Sequence, residues 1–527
     1  MGKSSKKAIF VGGGIGSLAG AAFLLRDGGW DGANINILET LALPGGSLDA
    51  AGDAVHGYSM RGGRMLTLVN YECLWALFKT IPSLSDPGQT VFDETVAFNE
   101  RYRAASASRL VNAQRAKVPV QSMGFSMSDR LELLKLSNAD EASLGAPGTN
   151  RITDWLSPNF FTTPFWLMWS TTFAFQPWNS AVEFKRYLHR FAMEFSRIET
   201  LGGVKRTVYN QYDSLVRPLL HWLEGRGVRF EFGCTVTAID HAQVDGQERV
   251  TGVRCQRASG ETTVPVGEGD LVFLQNASMT DGSTVGTLER PPAKSPRGES
   301  PGWRVWEQLA MGRPELGRPS VFNQSIAESA WQSFTVTLPT PDFFAAMQAF
   351  SGRAAGINGL VTFSDSAWRM SIVLPHQPHF LGQPDGVHVF WGDGLFPDRI
   401  GNFVPKPMDL CGGAEILTEL CGHLRFDSEL VAGANCIPCR MPWIVSMFAP
   451  RTQTDRPLPV PAGWKNLGLI SQFVEIPDDV VFTVEYSVRA AQLAVYGLLG
   501  LKLPVPPVTR HDKSLKVQAE AVIKAFV

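Results

Sequence analysis

The first regular pattern along the chain is a short apolar run that ends in glycines and leads into a second, helical apolar stretch. The run covers residues 8–11, and the helical stretch continues to residue 22. This order predicts a buried parallel strand, a tight turn and a helix N-terminus, the arrangement that binds a dinucleotide pyrophosphate. Gly12 and Gly14 match the first two glycines of the G-x-G-x-x-G pattern, whereas Ser17 takes the third position.

A second apolar run, residues 34–39, ends in an acidic residue, Glu39. After one crossover helix, this is where a carboxylate that binds the ribose is expected. Ser47 follows in a turn of small residues, where backbone can touch the same cofactor. Two arginines and a glycine pair then offer guanidinium groups and backbone N–H donors to an anionic or flavin-like partner, with a solvated turn as the alternative; they are Arg61, Gly62, Gly63 and Arg64.

Later apolar runs predict further strands of the same sheet, which two aromatic-rich insertions separate along the chain. Asn276 and Ser278 end one such strand, while Phe473 and Glu475 follow another and lead to a helix that can approach a flavin. We therefore expect a mixed α/β fold with a discontinuous Rossmann-type FAD-binding domain, an inserted substrate domain and a mainly helical C-terminal segment. The expected FAD-binding parts are 1–87, 204–285 and 441–500, the substrate-domain parts are 88–203 and 286–440, and the tail is 501–527.

The densest aromatic segment is residues 160–178, which can form plain core or the wall of a long apolar pocket. The helical pattern that follows places Tyr187 among Arg186, His189 and Arg190. Neighbouring cations would lower the pKa of the phenol and make it a better proton donor near neutral pH. A purely structural tyrosine is the alternative.

Composition narrows the functional class. The 527 residues exceed one core, and 44% apolar residues, 19% charged residues and a net charge of −2 are typical of a globular enzyme without attraction to nucleic acid. The basic N-terminus runs directly into the first strand, and no apolar window reaches 18 residues, so a cytoplasmic protein is expected. Seven scattered cysteines indicate reduced thiols, and the lone pair Cys436 and Cys439 predicts structural cysteines and no metal site.

The last fifteen residues form a short basic amphipathic pattern. Its apolar positions are Leu515, Ala519, Val522 and Phe526, and its lysines are Lys513, Lys516 and Lys524. Such a helix favours weak peripheral contact with the anionic inner face of a membrane. A helix that packs on the protein's own surface is the alternative.

Several blocks of sequence resemble one family, the oleate hydratases, once called myosin-cross-reactive antigens. They are GGGIGSLAGAAFLLRDG, RGGRM with YECLW, LFKTIPSL, DETVAFN, EFKRYLHRF, TVYNQYDSL, HQPHF, FWGDGLFP and SQFVEIPDDVVFTVEYSVRAAQLAVY. The resemblance implies an FAD enzyme that adds water across the cis-9 double bond of oleate and related free unsaturated fatty acids. FAD would act structurally and electrostatically, with the reduced form more active. We expect a monomer or a homodimer.

The resemblance also assigns roles to residues. The family's proton-donating tyrosine corresponds to Tyr187, and its active-site glutamine to Gln211. The family's water-activating glutamate, which follows RGGR, is replaced here by Met65. Of the three residues that bind the substrate carboxylate only His379 is retained, because Val373 and Pro375 occupy the other two positions.

Two other functions fit the same sequence. A flavin-dependent lipid oxidase or desaturase would share the fold, since fold does not fix function. A lipid-binding homologue with little activity would explain the loss of the glutamate. Of the three functions, we expect fatty-acid hydration.

Overall fold

The structure, a computed structural model, describes residues 6–63, 65–294 and 300–526. Its strands, in chain order, are β1 (Ala8–Val11), β2 (Ile35–Glu39), β3 (Ala50–Asp53), β4 (Gly57–Met60), β5 (Leu110–Val111), β6 (Arg229–Phe232), β7 (Thr235–Val244), β8 (Gln247–Arg257), β9 (Gly260–Pro265), β10 (Leu271–Leu274), β11 (Thr284–Val285), β12 (Trp331–Leu338), β13 (Leu360–Phe363), β14 (Met370–Val373), β15 (His388–Gly394), β16 (Asn435–Met441) and β17 (Leu467–Leu469).

The helices surround these strands. In chain order they are α1 (Ile15–Arg26), α2 (Glu72–Phe78), α3 (Val91–Arg101), α4 (Met127–Asn138), α5 (Glu141–Gly145), α6 (Pro164–Phe173), α7 (Ala181–Arg190), α8 (Ala192–Phe195), α9 (Arg217–Glu224), α10 (Pro301–Ala310), α11 (Ile326–Ser329), α12 (Asp342–Ser351), α13 (Gly413–Leu424), α14 (Val484–Leu499) and α15 (Leu515–Ala525). A π-helical turn, Tyr212–Val216, leads into α9.

A five-stranded parallel sheet, in the order β17-β10-β1-β2-β6, carries the N-terminal turn. All four residues of β1 are buried, as expected for a central strand covered on both faces. Helices α1 and α14 pack together on one face, and a Cβ at Gly20 would lie 2.6 Å from the Phe10 ring, so glycine lets α1 approach the strand. The predicted Rossmann-type α/β fold and its late returns to the sheet are confirmed.

The second large sheet is mixed and has seven strands, in the order β11-β16-β12-β15-β14-β13-β5. Alternate residues of β12 and β15 face opposite sides, so Phe334 and Phe390 enter a separate core whereas Trp391 and Asp393 face the interior between the two sheets. The β11 strand pairs with β16, so its residues belong to this sheet and not to the nucleotide-binding part that the sequence extended to residue 285.

The structure distinguishes the two interpretations of the aromatic segment at residues 160–178, plain core or pocket wall. Phe160, Phe165, Met168 and Trp169 are fully buried core. The last turn of α6, from Thr171 onward, instead lines a cavity. The segment is therefore core at its beginning and pocket wall at its end.

The two cysteines of the CxxC pattern lie on opposite faces of β16. Cys436 belongs to the core beyond the seven-stranded sheet, and Cys439 belongs to the main core. Burial raises the pKa of both thiols, to about 11 for Cys439. Among the residues that the structure describes, no group of three metal-ligating side chains comes together. The two thiols therefore lie in separate cores.

The C-terminal helix α15 docks beside α8, where Lys524 pairs with Glu199 at 2.7 Å and Ala521 and Ala525 pack against the core. Its apolar residues Leu515, Val522 and Phe526 are 83%, 58% and 60% exposed. Three apolar residues of α4 are also exposed, namely Met127, Leu131 and Leu134. No helix within the described part of the chain is long and apolar enough to cross a bilayer.

Candidate functional site

The turn after β1 has the backbone conformation that a pyrophosphate site requires. Gly12 adopts φ +90°, a conformation that favours glycine, and Gly14 begins α1 without a side-chain cap. The first turn of α1 holds no acidic residue. Its N-terminal amides therefore keep a partial positive charge for an anion.

Two polar side chains border this turn. Glu39 accepts hydrogen bonds from the amides of Gly13 (2.6 Å) and Leu41 (2.7 Å), and burial raises its pKa against the lowering effect of these amides. Gln275, at the end of β10, donates to the Ser17 hydroxyl at 3.0 Å and lies over the glycines. Glu39 and Ser17 thus border the turn, and a glycine turn with these polar neighbours fits a dinucleotide.

A second glycine turn completes the edge of this crevice. The Gly45 amide donates to the Gly13 carbonyl at 2.9 Å, which brings the following Ser47 beside the first turn. The Arg61 guanidinium donates to the Asp49 carboxylate at 2.8 Å. Arg61 and Gly62 also line an interior cavity that is described below. Arg61 therefore joins the dinucleotide crevice to the cavity. Arg64, predicted to act with it, lies outside the described residues.

The other predicted cofactor residues lie farther along the same region and already have protein partners. Asn276 is buried and accepts from the Ser471 hydroxyl at 2.8 Å, and the Ser278 hydroxyl lies 3.2 Å from that of Thr280. The Phe473 ring packs with Trp303, Trp306 and Phe322, which makes it a core residue. Glu475 is paired with Arg186 at 2.7 Å and with Arg451 at 3.0 Å, because it belongs to a buried ion network. The side chains of Phe473 and Glu475 are thus committed to packing and ion pairing.

A cavity lies between the helical insertion and the inner face of the seven-stranded sheet. Its empty space is about 1040 Å³, including the part open to solvent. Its walls are mostly apolar, with a few polar groups, and they include Met65, Phe173, Tyr187, Leu201, Trp391 and Asp393. We call this space the phenol cavity. A mainly apolar cavity with few polar groups is typical of a small-molecule site.

Tyr187 reaches the phenol cavity from α7. The ring is almost fully buried against Phe173 and Phe175, and its hydroxyl donates to the Val481 carbonyl at 2.5 Å. Burial raises the pKa of this phenol well above its ordinary value, and the nearby Tyr71, Glu183 and Asp479 raise it further. The predicted lowering by neighbouring cations is therefore wrong.

The cations beside Tyr187 do not lower its pKa because carboxylates already engage them. Arg186 binds Glu141 and Glu475, each at 2.7 Å. Arg190 binds Glu72 at 2.6 Å, and its Nε lies 3.3 Å from Asp479. The phenol consequently stays protonated across the physiological pH range, which is the state that a proton donor needs.

A second, smaller cavity adjoins the first. Gly63, Met65 and Trp391 line both, so Met65 lies where the two spaces meet. The smaller cavity, with about 520 Å³ of empty space, is lined by His379, Gln211, Arg206, Val373 and Pro375. We call it the histidine cavity. The structure thus places Tyr187 in one cavity and His379 with Gln211 in the other, with Met65 between them.

His379 and Gln211 are held together by the backbone. The amide and side chain of Asn210 both donate to the His379 carbonyl, at 2.8 and 3.1 Å, and the π-helical turn follows at once. Burial lowers the pKa of His379 to about 3, and the charges of Arg206 and His376 act in the same direction. Its Nε2 is buried without a partner in the described structure. A neutral imidazole with a free nitrogen thus faces this space.

These arrangements agree with a family assignment, and the match with the MCRA family model covers residues 5–496. The chain belongs to the MCRA family. It is 35% identical over 518 residues to an oleate hydratase of Streptococcus pyogenes serotype M49 (strain NZ131), covering 96% of this chain and 87% of the relative. It is 32% identical over 562 residues to a linoleate hydratase of Lactiplantibacillus plantarum, covering 99% and 98%. This MCRA protein is a hydro-lyase similar to oleate hydratases, as the sequence predicted.

Solved structures share the fold of this MCRA protein at low sequence identity. A putative protoporphyrinogen oxidase from Exiguobacterium sp. 255-15 matches with a TM-score of 0.52 at 12% identity, covering 94% of this chain and 99% of that one. Cyclohexylamine oxidase from Brevibacterium oxydans IH-35A gives 0.51 at 11%, with the same coverage. The likeness concerns the fold alone.

Sequence reasoning missed two charged residues of the MCRA protein's cavities. Arg206 lines the histidine cavity, where burial lowers its pKa to about 10 and no carboxylate of the described chain pairs with it. Asp393 lines the phenol cavity and is 5% exposed. Each lies within a block quoted for the resemblance or next to one, but only the three-dimensional structure reveals that a titratable group there lines a cavity without a counter-ion among the described residues.

Proposed function

We propose that this protein hydrates the cis-9 double bond of free unsaturated fatty acids and converts oleate to 10-hydroxystearate. The observation that carries the proposal is the pair of adjoining cavities, one with a buried phenol and the other with a half-buried cation that pairs with no carboxylate of the described residues. A fatty acid has a carboxylate at one end and an apolar chain with its double bond farther along. The charge pattern of the two cavities matches that order.

The carboxylate end belongs in the histidine cavity. Arg206 donates one hydrogen bond to the Gly356 carbonyl at 2.8 Å, which leaves guanidinium donors for a ligand. The free nitrogen of His379 adds a second polar group. A carboxylate placed there would neutralise the Arg206 charge, whose burial is otherwise costly. Arg206 thereby compensates for the apolar Val373 and Pro375.

The double bond belongs in the phenol cavity, where Tyr187 is the proton donor. Its protonated phenol can transfer a proton to one alkene carbon, and water then adds to the other. The aromatic walls exclude other nucleophiles, while the chain's passage along Gly63 and Trp391, which line both cavities, fixes which carbons reach the phenol. A Cβ at Gly63 would lie 2.6 Å from the Trp391 ring, so the glycine is needed for this close approach.

FAD fits the crevice beside the phenol cavity. Gly12, Gly14, Ser17 and Glu39 would hold its pyrophosphate and ribose, with Ser47 and Arg61 at the edge toward the cavity. Bound there in its reduced form, FAD supplies negative charge that stabilises a developing cation without net redox change. We infer FAD as the flavin from the glycine turn together with the carboxylate of Glu39.

Access from a membrane suits a substrate that partitions into bilayers. The exposed apolar residues of α4 and α15 form one surface, because Arg130 of α4 donates to the Ala525 carbonyl at 2.8 Å and contacts the Phe526 ring. Lys524 is engaged by Glu199 and is not available to lipid headgroups, but Lys516 is exposed. We propose that this surface makes weak peripheral contact with anionic membranes.

Incubation with oleate in water enriched in heavy oxygen tests the function. The expected product is 10-hydroxystearate that carries the heavy isotope, formed without consumption of oxygen. A dehydrogenated product with flavin turnover would instead identify an oxidase or desaturase. Tight binding of oleate without any product would identify a lipid-binding homologue.

A further inference from the structure

Hydration requires a group that holds water against the reacting carbon. In the family that this chain resembles, a glutamate after RGGR has that position, and Met65 stands there instead. A thioether cannot accept a proton from water. If the proposed hydration takes place, another side chain of the phenol cavity must supply this function.

Two carboxyl groups from the described chain line the phenol cavity, Glu194 and Asp393. Glu194 is committed to Arg197, which contacts both of its oxygens at 2.6 and 3.0 Å. No described donor or cation reaches the Asp393 carboxyl. Asp393 is therefore the cavity carboxyl that remains available to a ligand.

The fold fixes Asp393 beside the position of the missing glutamate. It projects from β15 on the same face as Trp391, two residues earlier, and Trp391 packs against Gly63 of the turn that precedes Met65. On the neighbouring strand β12, Ser333 is its direct register partner and lines the same cavity. Directly opposed side chains on an antiparallel pair lie about 5 Å apart at Cβ, so a water molecule can bridge them.

Burial determines the protonation of the Asp393 carboxyl group. It raises the pKa of Asp393 to about 8, with no compensating charge. The other titratable groups described at the walls are Arg61, Tyr71, Tyr187 and Glu194. A buried carboxyl with no partner is costly to the fold, and such groups cluster at functional sites. A base that titrates near neutral pH is also well matched to proton transfer.

We propose that Asp393 is the catalytic base of the hydration and replaces the glutamate that Met65 has displaced. The proposal rests on the proposed function. Tyr187 gives its proton to one alkene carbon, the oxygen of a water held by Asp393 and Ser333 bonds to the other, and that water's proton passes to the Asp393 carboxylate. Return of this proton to the Tyr187 phenolate through water closes the cycle. The alkene gains one hydrogen and one hydroxyl, and no electrons are exchanged with any cofactor.

The test compares wild type, D393N and D398N under steady-state conditions with oleate, from pH 6 to 9.5. Asp398 is an exposed carboxylate five residues farther along and serves as the matched control. For D393N we expect a loss of at least about 100-fold in kcat with a smaller change in KM, the scale of a positioned base. For wild type, kcat/KM should rise with pH, reach half its maximum near pH 8 and level off above about pH 9, and the residual activity of D393N should lack this rise.

A rescue variant separates chemistry from folding. Asn closely mimics the protonated Asp393, so D393N should keep the wild-type melting temperature and flavin content. Adding M65E to D393N returns a carboxylate to the family position and should restore at least about tenfold of the lost rate. If D393N is misfolded, D393S is measured in its place.

Three outcomes overturn the assignment. D393N activity within threefold of wild type removes Asp393 from the chemistry, and a wild-type rate that falls above pH 8 makes it an acid. Failure of M65E to rescue a folded but inactive D393N would contradict the claim that Asp393 takes over the role of the family's glutamate. A wild-type enzyme that forms no labelled hydroxy acid refutes the proposed function itself, which is a distinct result.

Discussion

The Tyr187 hydroxyl donates to the Val481 carbonyl at 2.5 Å, inside a cage of aromatic rings. The contact fixes the phenol at the wall of the cavity. It also shows that the hydroxyl already has an acceptor, so the proton can leave toward a substrate only when that hydrogen bond is exchanged.

Replacing Tyr187 by Phe should lower the hydration rate by about 1000-fold while oleate still binds, because one oxygen is lost and the ring remains. The measurement is kcat with oleate beside a direct binding titration. Tyr486→Phe is the matched control, since its hydroxyl also donates to a buried backbone carbonyl, that of Val474, but it lines neither cavity. A Tyr187→Phe rate above about a tenth of wild type would assign the proton donor elsewhere.

Replacing Arg206 by Met should act in opposite directions on binding and on stability. The KM for oleate should rise by about 10- to 100-fold, the scale of a hydrogen bond to a charged group, with kcat little changed. The melting temperature should stay or rise, because a half-buried cation that pairs with no carboxylate of the described residues is removed.

The uncharged analogue oleyl alcohol is the control for Arg206. It lacks the carboxylate, so wild type and Arg206→Met should treat it alike. An equal loss for the alcohol and the acid would mean that Arg206 supports the cavity wall and does not recognise the carboxylate.

The glycine turn predicts a direct effect on flavin. Gly14 is the N-cap of α1, where a branched side chain would obstruct the amides that face the anion, so Gly14→Val should abolish copurified flavin absorbance, whereas Gly88→Ala in an exposed turn should not. In wild type, the rate measured anaerobically should be higher with reduced than with oxidised FAD. Equal rates for both redox states and the apoprotein would contradict an electrostatic role.

The proposed membrane contact depends on the exposed faces of α4 and α15. The triple variant Leu515→Ser, Val522→Ser and Phe526→Ser should reduce flotation with vesicles that contain anionic phospholipid. Exposed apolar residues elsewhere give the control, Val55→Ser, Met311→Ser and Ile400→Ser. Equal flotation of both triple variants would leave α15 as a helix that serves only the protein's own surface.

The buried ion network predicts acid sensitivity. Burial alone would raise the pKa of Glu183, but Arg456, Arg451 and Arg186 together lower it to about 2. Because the folded pKa lies below the unfolded value, the stabilisation is complete above about pH 4.5 and is lost as pH falls toward 2. The denaturant concentration at the unfolding midpoint, measured from pH 7 to pH 3, should decrease once the pH is below about 5.

Glu183→Gln tests this network, and Glu268→Gln, at an exposed carboxylate, is its control. The first should be destabilised at pH 7, because it leaves arginine charges buried, and it should lose part of the acid dependence. The second should follow wild type. A Glu183→Gln midpoint that still falls as steeply as wild type would place the acid-sensitive group elsewhere.

Local patterns in the sequence predicted the nucleotide-binding fold well, because the strand, glycine turn and helix of residues 8–26 are contiguous. Tyr187, Met65, His379 and Gln211 came from the resemblance, and the structure brings them to two adjoining cavities. The pKa of Tyr187 was predicted in the wrong direction, since helical spacing reveals which cations are near but not the carboxylates that other segments bring to them. Asp393 escaped notice for a related reason: burial without a partner is a property of the assembled sheet.

The seven cysteines have a practical consequence. All are buried, and those at Cys73 and Cys436 have thiol pKa values raised far above the usual range. The folded enzyme should therefore react slowly with maleimides, because they modify the accessible thiolate. A single cysteine introduced on the outward side of α15, at Ala519 for example, could then be labelled selectively with a polarity-sensitive dye, and the native thiols need not be removed.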